Sequence, residues 1–248
     1  MKTFSKLLLL IALLAYLAFA FVRMTGGADR TRCTAVNVAI ADSLHAGFIT
    51  AAEVERLLVR AGIHPKGREM DSIDGRRIEK VLLRNSFIKS ANCFKTPGGR
   101  VNILISQRLP VMRVKAANGE DYYLDEAGHV MMPEDYNADL VVATGDIDKK
   151  YAGKNLVHIA RYLQDHEFWN DQIVQIDVEP RTRNITLVPR VGSQLIRFGK
   201  ADSATVESKF RNLKTFYDKV MPTVGWNTYR EINLEYARQI ICKRTETK

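Results

Sequence analysis

The chain has 248 residues, of which 46% are hydrophobic and 26% charged, as in an ordinary folded protein. That composition excludes a fully disordered or fibrous protein and allows one large or two small domains besides any terminal segment. The formal net charge is +9, but the basic residues are spread along the chain. This argues against a nucleic-acid-binding arm and suits a place beside anionic lipid or an acidic polymer.

An uncharged, apolar run occupies Leu7–Val22 near the N-terminus. As a helix it would be about 24 Å long, at the short end of what spans a bilayer. We predict a membrane anchor over residues 7–24, following a cytoplasmic segment of residues 1–6 that carries two lysines. The alternative is a cleaved signal peptide, because Ala18-Phe19-Ala20 resembles a cleavage site, but such apolar regions usually run only about 7–15 residues.

A small α/β unit is predicted after a polar tether at residues 25–32. Alternating apolar residues predict a strand at Thr34–Ile40. Thr50 and Glu53 form a capping-box pattern at the start of a helix, and Gly62 ends its apolar stripe.

A second helix in this unit follows Asp74. Two strands, Ile88–Lys95 and Arg100–Gln107, are then joined by a Pro-Gly turn. The order β-α-α-β-β predicts a domain at residues 33–108 in which two helices cover one face of a three-stranded sheet.

Strands dominate a second predicted domain at residues 109–242, which is followed by a tail at residues 243–248. Pro110 marks the boundary because proline cannot donate to a strand ladder. The predicted strands are Val111–Lys115, Tyr122–Leu124, His129–Met132, Leu140–Ala143, Ile173–Val178, Ile185–Val188 and Gln194–Phe198. The predicted helices are Asn155–His166 and Ser203–Met221, the second stopped by Pro222. The fold class is α+β, with an antiparallel sheet in this domain.

The last predicted element is one long strand at Tyr229–Cys242, with apolar residues on one face and polar residues on the other. At a sheet edge, its free backbone groups would accept a strand from another protein. Periodicity alone favours the simpler role of closing the sheet, because it does not report edge position.

No motif of a known catalytic or metal site is present. The spacing of the three cysteines, Cys33, Cys93 and Cys242, is not that of a metal site or a redox pair. We interpret them as small buried hydrophobic residues, and a disulfide between two of them remains an alternative. His158 and His166 lie eight residues apart, but no third ligand completes a metal site. We therefore expect no cofactor, no metal and no small-molecule substrate.

Carboxylates in turns are the remaining catalytic candidates, because an enzyme acting on glycans needs a pair of them. Turns also collect acidic residues for local capping, which is the more economical interpretation. The candidates are Asp121, Asp125, Glu126, Glu134 and Asp135.

Several segments together resemble the FtsQ/DivIB family of bacterial division proteins. Phe48-Ile49-Thr50 resembles the entry to that family's POTRA module, and Gln107–Val111 resembles its domain junction. Tyr122–Asp125 followed by Gly128 is similar to its "YYVD-x-x-G" hairpin. Leu195–Gly199, the long helix and Ile232–Ile241 resemble its closing signature "V-x-LG … IDLRY-x-x-Q-VV". The resemblance covers nearly the whole chain, with departures at Phe198, Asn233 and Glu235.

The resemblance implies a non-enzymatic scaffold of the division machinery. Such proteins sit in the inner membrane at the division site, with the N-terminus cytoplasmic and the body periplasmic. They bind FtsB/FtsL-type coiled-coil proteins by strand addition along the last strand of the distal domain, and help recruit septal cell-wall synthesis. The residues implied in partner binding are Leu234, Glu235, Tyr236, Ala237, Arg238 and, as a cation for an acidic partner, Lys200. An exported POTRA-bearing factor for outer-membrane assembly and a glycan-active enzyme are the alternatives.

Overall fold

A computed structural model describes residues 11–20, 31–41, 49–132, 139–237 and 239–245. The chain divides into two compact units, Met1–Gln107 and Arg108–Lys248.

Helix α1 occupies residues 11–20 in the N-terminal apolar segment, and its side chains are almost all exposed. None of the helices within the described ranges is both long and apolar enough to cross a membrane. The rest of the predicted anchor, residues 7–10 and 21–24, lies outside the described residues, as do the predicted cytoplasmic segment 1–6 and residues 25–30 of the tether.

The first unit contains a three-stranded sheet in the order β1-β3-β2. Its elements are β1 (Ala35–Ile40), α2 (Ala51–Arg60), a 3-10 turn (Met70–Ser72), α3 (Gly75–Leu82), β2 (Ile88–Thr96) and β3 (Arg100–Gln107). β2 and β3 form an antiparallel hairpin, whereas β1 pairs with β3 in parallel. The parallel pair follows from the helical crossover, since a strand that returns after two helices enters the sheet in the same direction.

Local sequence signals account for the helices of this unit. The Thr50 and Glu53 side chains make both bonds of the predicted capping box at the start of α2. Asp74 accepts a hydrogen bond from the backbone N–H of Arg77 and caps α3. The core is formed by one side of each element and includes Val54, Leu58, Ile78, Leu82, Val101, Ile103 and Ile105.

The second unit is built on a larger sheet with helices inserted between its strands. Its first strands are β4 (Pro110–Ala116), β5 (Asp121–Asp125), β6 (Val130–Met131) and β7 (Val142–Gly145). A helical segment follows, made of α4 (Lys149–Tyr151), a π turn (Ala152–Leu156), α5 (Val157–Gln164) and α6 (Glu167–Gln172). The chain continues through β8 (Ile173–Val178), β9 (Ile185–Pro189), β10 (Leu195–Gly199), α7 (Ser203–Lys219), α8 (Met221–Val224), β11 (Tyr229–Asn233) and β12 (Ile241–Arg244).

Within the described residues the large sheet has nine strands in the order β12-β11-β10-β9-β8-β7-β4-β5-β6. The prediction of an antiparallel sheet is wrong, because β4–β7, β7–β8 and β10–β11 pair in parallel. For the last two pairs the helical connections are the reason, since helices α4 to α6 separate β7 from β8, and α7 and α8 separate β10 from β11; β4 and β7 are separated by strands β5 and β6. Helical crossovers of that kind join parallel neighbours.

The helices and the inward-facing strand residues form one hydrophobic core. Its centre is aromatic: Phe210 of α7 packs against Phe198 of β10 and Trp169 of α6, with ring centroids 5.2 and 5.1 Å apart. Tyr217, two turns further along α7, lies 5.7 Å from Trp169. This packing fixes α7 against the end of β10, which positions the surface described below.

Two helix boundaries differ from the predictions. The helix predicted at Asn155–His166 begins at Lys149, where Asp148 caps it, and passes through the π turn. The π turn lies where Gly153 meets Gly128, and a Cβ added to Gly153 would stand 2.6 Å from the Gly128 carbonyl oxygen. Pro222 does not end the helical region, because it occupies the first turn of α8, where its missing N–H has no helical partner to lose.

Candidate partner-binding surface

The C-terminal segment forms a hairpin instead of the predicted single strand. β11 ends at Asn233, whose side chain accepts a hydrogen bond from the N–H of Glu235 at 2.8 Å and so starts a turn. After residues 234–240 the chain returns as β12, antiparallel to β11. The prediction of one strand over Tyr229–Cys242 is therefore wrong, and its first half lies inside the sheet between β10 and β12.

The edge of the sheet belongs to β12, the last strand of the described chain. The N–H of Thr245 donates inward to the carbonyl of Thr228 at 3.0 Å. Because the backbone groups of a strand point alternately to its two sides, Lys243 and Ile241 also bond toward β11, and the N–H groups of Cys242 and Arg244 point outward. These two positions offer an incoming strand its ladder bonds.

A groove of about 330 Å³ lies beside this hairpin, between the 234–240 turn, the end of β10 and helix α7. A second hollow of about 540 Å³ continues it along α7 toward Val220. Both are lined by Asn212, Ala237, Gln239 and Ile240, so the two hollows adjoin each other along α7. We call them together the α7 groove.

Five of the six predicted partner-binding residues line the α7 groove, four of them in the 234–240 turn, and these four differ in accessibility. Tyr236 is 52% exposed and Glu235 and Ala237 are also exposed, whereas Leu234 is only 3% exposed. Leu234 therefore serves the fold: its N–H donates to the carbonyl of Arg197 at 2.8 Å and its side chain joins the core. The position of Arg238 lies outside the described residues.

Two lysines stand at the end of the groove next to β10. Lys200, the predicted cation, lines the groove, and its ammonium donates to the carbonyl of Thr182. Lys209 of α7 was not predicted: its Nζ donates to the carbonyl of Phe198 at 2.6 Å and lies 4.7 Å from the Phe198 ring centroid. Burial lowers the pKa of Lys209, although Glu235 and Asp202 oppose the shift.

Gly199 allows the close fit between these parts. Its φ of 76° lies in the left-handed region, and an added Cβ would stand 2.9 Å from Cγ of Glu235. A larger residue at this position would push the 234–240 turn away from α7. A glycine at position 199 is therefore required for the close packing that forms the groove.

A ladder of polar side chains crosses the exposed face of the sheet and ends on the edge strand. Arg197 of β10 contacts Thr186 of β9 and Glu231 of β11, and Glu231 also pairs with Lys243 of β12 at 2.8 Å. The hydrogen bond from Lys243, assisted by that from Arg197, holds the pKa of Glu231 below its ordinary value. The ladder thus fixes β12 onto β11 and leaves a lysine at the edge, where a carboxylate on a further strand would continue it.

The carboxylates considered for catalysis are engaged in ion pairs instead. Asp121 is held by Arg113 at 2.8 Å, and the hydrogen bond from this arginine lowers the pKa of Asp121. Asp125 is buried, and this burial alone would raise its pKa. Hydrogen bonds from His129 and Arg108 outweigh that effect and leave the pKa low. Both groups are held ionised, whereas a glycosidase acid needs a raised pKa.

The other candidates add no chemistry. Glu126 is exposed, and Glu134 and Asp135 lie outside the described residues. The three cysteines are free thiols; Cys33 is buried, while Cys93 and Cys242 are half-buried. Burial, helped by Glu79, raises the pKa of Cys93 to about 11, which makes its thiol a poor nucleophile. Across the described ranges, no group of acidic, histidine or cysteine side chains could hold a metal ion.

Two family models match the chain. One, described as "FtsQ/DivIB, C-terminal related", matches residues 109–243, and the other, described as "POTRA-like domain", matches residues 31–106. No curated protein matches the chain. The first model spans more than half of the 248 residues and contains the α7 groove, the 234–240 turn and all but the last residue of β12.

Proposed function

The chain belongs to the FtsQ/DivIB family, and we propose from that premise that it is a division scaffold which binds an FtsB/FtsL-type coiled-coil protein at its C-terminal edge. The observation that carries the proposal is the position of β12 at the edge of the described sheet, where strand alternation from the inward bond of Thr245 directs the N–H groups of Cys242 and Arg244 outward. A partner strand would add to this edge, and the segment before or after it would enter the α7 groove.

The chemistry of the surface supports a partner that is apolar at one point and acidic at another. Tyr236 is a rigid, exposed aromatic side chain, the type that most often dominates interface energies. Lys243 on β12 and Lys200 at the end of the groove supply positive charge. Main-chain bonds would set the register, and these side chains would select the sequence.

The membrane attachment is part of this proposal. Residues 7–24 would anchor the chain in the inner membrane at the division site, with residues 1–6 in the cytoplasm and the two units in the periplasm. The apolar sequence of this segment and the positive charges before it support that orientation. The protein would act without catalysis, as a contact that brings the septal cell-wall machinery together.

The proposal is tested by blocking the ladder at its outer side. Arg244→Pro removes an outward N–H while leaving the inward bonds of Lys243 and Thr245 in place, so β12 keeps its pairing with β11. We expect co-purification of the full chain with the partner's periplasmic segment to be lost, while the melting temperature changes little.

Arg244→Ala is the matched control, because it removes the same side chain but keeps the N–H. It should retain binding to within a few-fold, since an edge arginine contributes little beyond charge. Retained binding by Arg244→Pro would refute strand addition at β12. Equal loss in both variants would assign the effect to the side chain and not to the ladder.

A further inference from the structure

The exposed face of α3 in the first unit is entirely basic. Arg76, Arg77 and Lys80 are exposed, and Arg84 follows one turn after Lys80 on the same side. Ile78 and Leu82, on the opposite side, are fully buried. We call the four basic residues, all within residues 76–84, the α3 basic face.

In the described part of the chain, no carboxylate pairs with a cation of this face. Glu79 turns away, because its side chain accepts a hydrogen bond from the N–H of Cys93 at 2.8 Å, and Asp74 is used as the helix cap. Among the described residues, none of the four cations forms an ion pair. The four charges therefore add to one local positive field.

The basic face borders a hollow with an apolar floor. This hollow of about 390 Å³ is lined by Ala61, Ile63 and Val81, with Arg77, Lys80 and Arg84 at its rim. Leu83, next to the rim, is 48% exposed. Cations around an apolar floor, with a neighbouring exposed leucine, match the interface of a bilayer, where charged headgroups lie above acyl chains.

We infer that the α3 basic face binds anionic phospholipid headgroups and holds the first unit against the membrane surface. The choice of lipid over an acidic protein rests on the membrane attachment proposed above. Only residues 21–30 separate α1 from the described segment that leads into the sheet of the first unit, and ten residues span at most about 35 Å. A unit tethered so closely meets the surface at high effective concentration.

Nanodiscs provide the test with the full chain. The protein is placed in discs of neutral phosphatidylcholine or of phosphatidylcholine with phosphatidylglycerol, and amide exchange of residues 75–84 is followed by mass spectrometry. We expect exchange roughly threefold or more slower in the anionic discs. Raising the salt concentration should remove the difference, because screening weakens surface charge interactions.

The double variant Lys80→Glu/Arg84→Glu should lose this protection. Arg100→Glu/Arg161→Glu, which changes net charge equally at two exposed positions elsewhere, should keep it. Circular dichroism verifies that each variant is folded. Equal exchange in both kinds of disc would overturn the inference, and so would equal protection in neutral discs.

A poly-glutamate peptide, added to the protein in neutral discs, tests whether the ligand of the α3 basic face is an acidic protein and not a lipid. Protection by the peptide and not by phosphatidylglycerol would assign the face to an acidic protein and refute lipid binding. Partner binding at β12 is measured in the same preparation. Because the α3 basic face and β12 belong to different units, loss of one signal with the other retained shows which proposal has failed.

Discussion

At the scale of single residues, Tyr236 is the side chain on which partner binding should depend most. It is 52% exposed and contributes nothing to the buried core. Tyr236→Asp should weaken partner binding by about thirtyfold or more, the size of a typical interface hot spot, without lowering the melting temperature. Titration calorimetry with the partner's periplasmic segment gives the affinity.

Phe94→Asp is the control for Tyr236→Asp, because Phe94 is an aromatic residue of the first unit with the same exposure, 51%. It should leave affinity unchanged. Equal affinities for wild type and Tyr236→Asp would remove this tyrosine from the interface.

Asp125 is a residue whose role is stability. Its carboxylate accepts bonds from Arg108 at 2.8 Å and from the backbone N–H of His129 at 2.7 Å. Asp125→Asn should cost about 2 kcal/mol of unfolding free energy at pH 7, because it weakens the charge-assisted hydrogen bonds that the buried carboxylate accepts from Arg108 and His129. Urea melts measure the cost. Asp121→Asn, at a more exposed pair, should cost under about 1 kcal/mol.

The cost of Asp125→Asn should also depend on pH. The folded-state pKa of Asp125 lies below its unfolded value, so its contribution is present above about pH 4 and disappears as the pH falls through the folded pKa. The difference in stability between wild type and Asp125→Asn should therefore shrink as the pH falls below about 4. A constant difference from pH 7 to pH 2 would show that the ion pair is not the cause.

Among the secondary-structure elements, the C-terminal hairpin is one that the sequence pattern does not distinguish from a single long strand. Leu234 and Ile240 are six residues apart, an even number, so the two-residue alternation keeps its phase across the turn, with Arg238 as the single interruption. One long strand and a hairpin therefore have the same pattern. By contrast, the capping box of α2 was predicted correctly because it depends on residues only three apart.

The direction in which distant strands pair in the large sheet was also predicted wrongly. The parallel pairs β7–β8 and β10–β11 follow crossover helices, and the sequence periodicity of a strand does not identify its neighbour. Lys209 was missed for a related reason. It lies on the exposed side of a predicted helix, and only the packing of α7 against β10 brings its ammonium to the Phe198 carbonyl.

Glu231 should control how firmly β12 is held. It links Arg197 and Lys243 across three strands. Glu231→Ala should speed amide exchange of β12 while changing global stability by less than about 1 kcal/mol, since the pairs are near the surface. The same loosening should occur in wild type as acid protonates Glu231, below about pH 4.5.

Lys214→Ala is the control for Glu231→Ala, because Lys214 pairs with Asp218 on the surface of α7, away from the edge strand. It should leave β12 exchange unchanged. Unaltered exchange in Glu231→Ala would mean that the backbone ladder alone holds β12.

At the scale of the whole molecule, partner binding should belong to the second unit alone. Tyr236, the α7 groove and β12 all lie within Arg108–Lys248, which has its own hydrophobic core. This unit, expressed separately, should fold and bind the partner with an affinity within about threefold of the full chain. A folded unit that does not bind would place part of the site in Met1–Gln107.

The N-terminal segment is tested by the mass of the protein isolated from membranes. An anchor leaves residues 1–20 in place, whereas a cleaved signal peptide removes them after Ala20. We expect the intact mass and resistance to extraction at alkaline pH. A protein that starts at Phe21 and is released as soluble material would contradict the proposed anchor.

Strand addition at β12 is tested most directly by residue-resolved amide exchange of the second unit, measured by NMR with and without the partner's periplasmic segment. We expect the amides of Ile241 and Lys243 to be protected in both samples, and those of Cys242 and Arg244 to become protected only in the complex. Fast exchange at Cys242 and Arg244 in a saturated complex would contradict it.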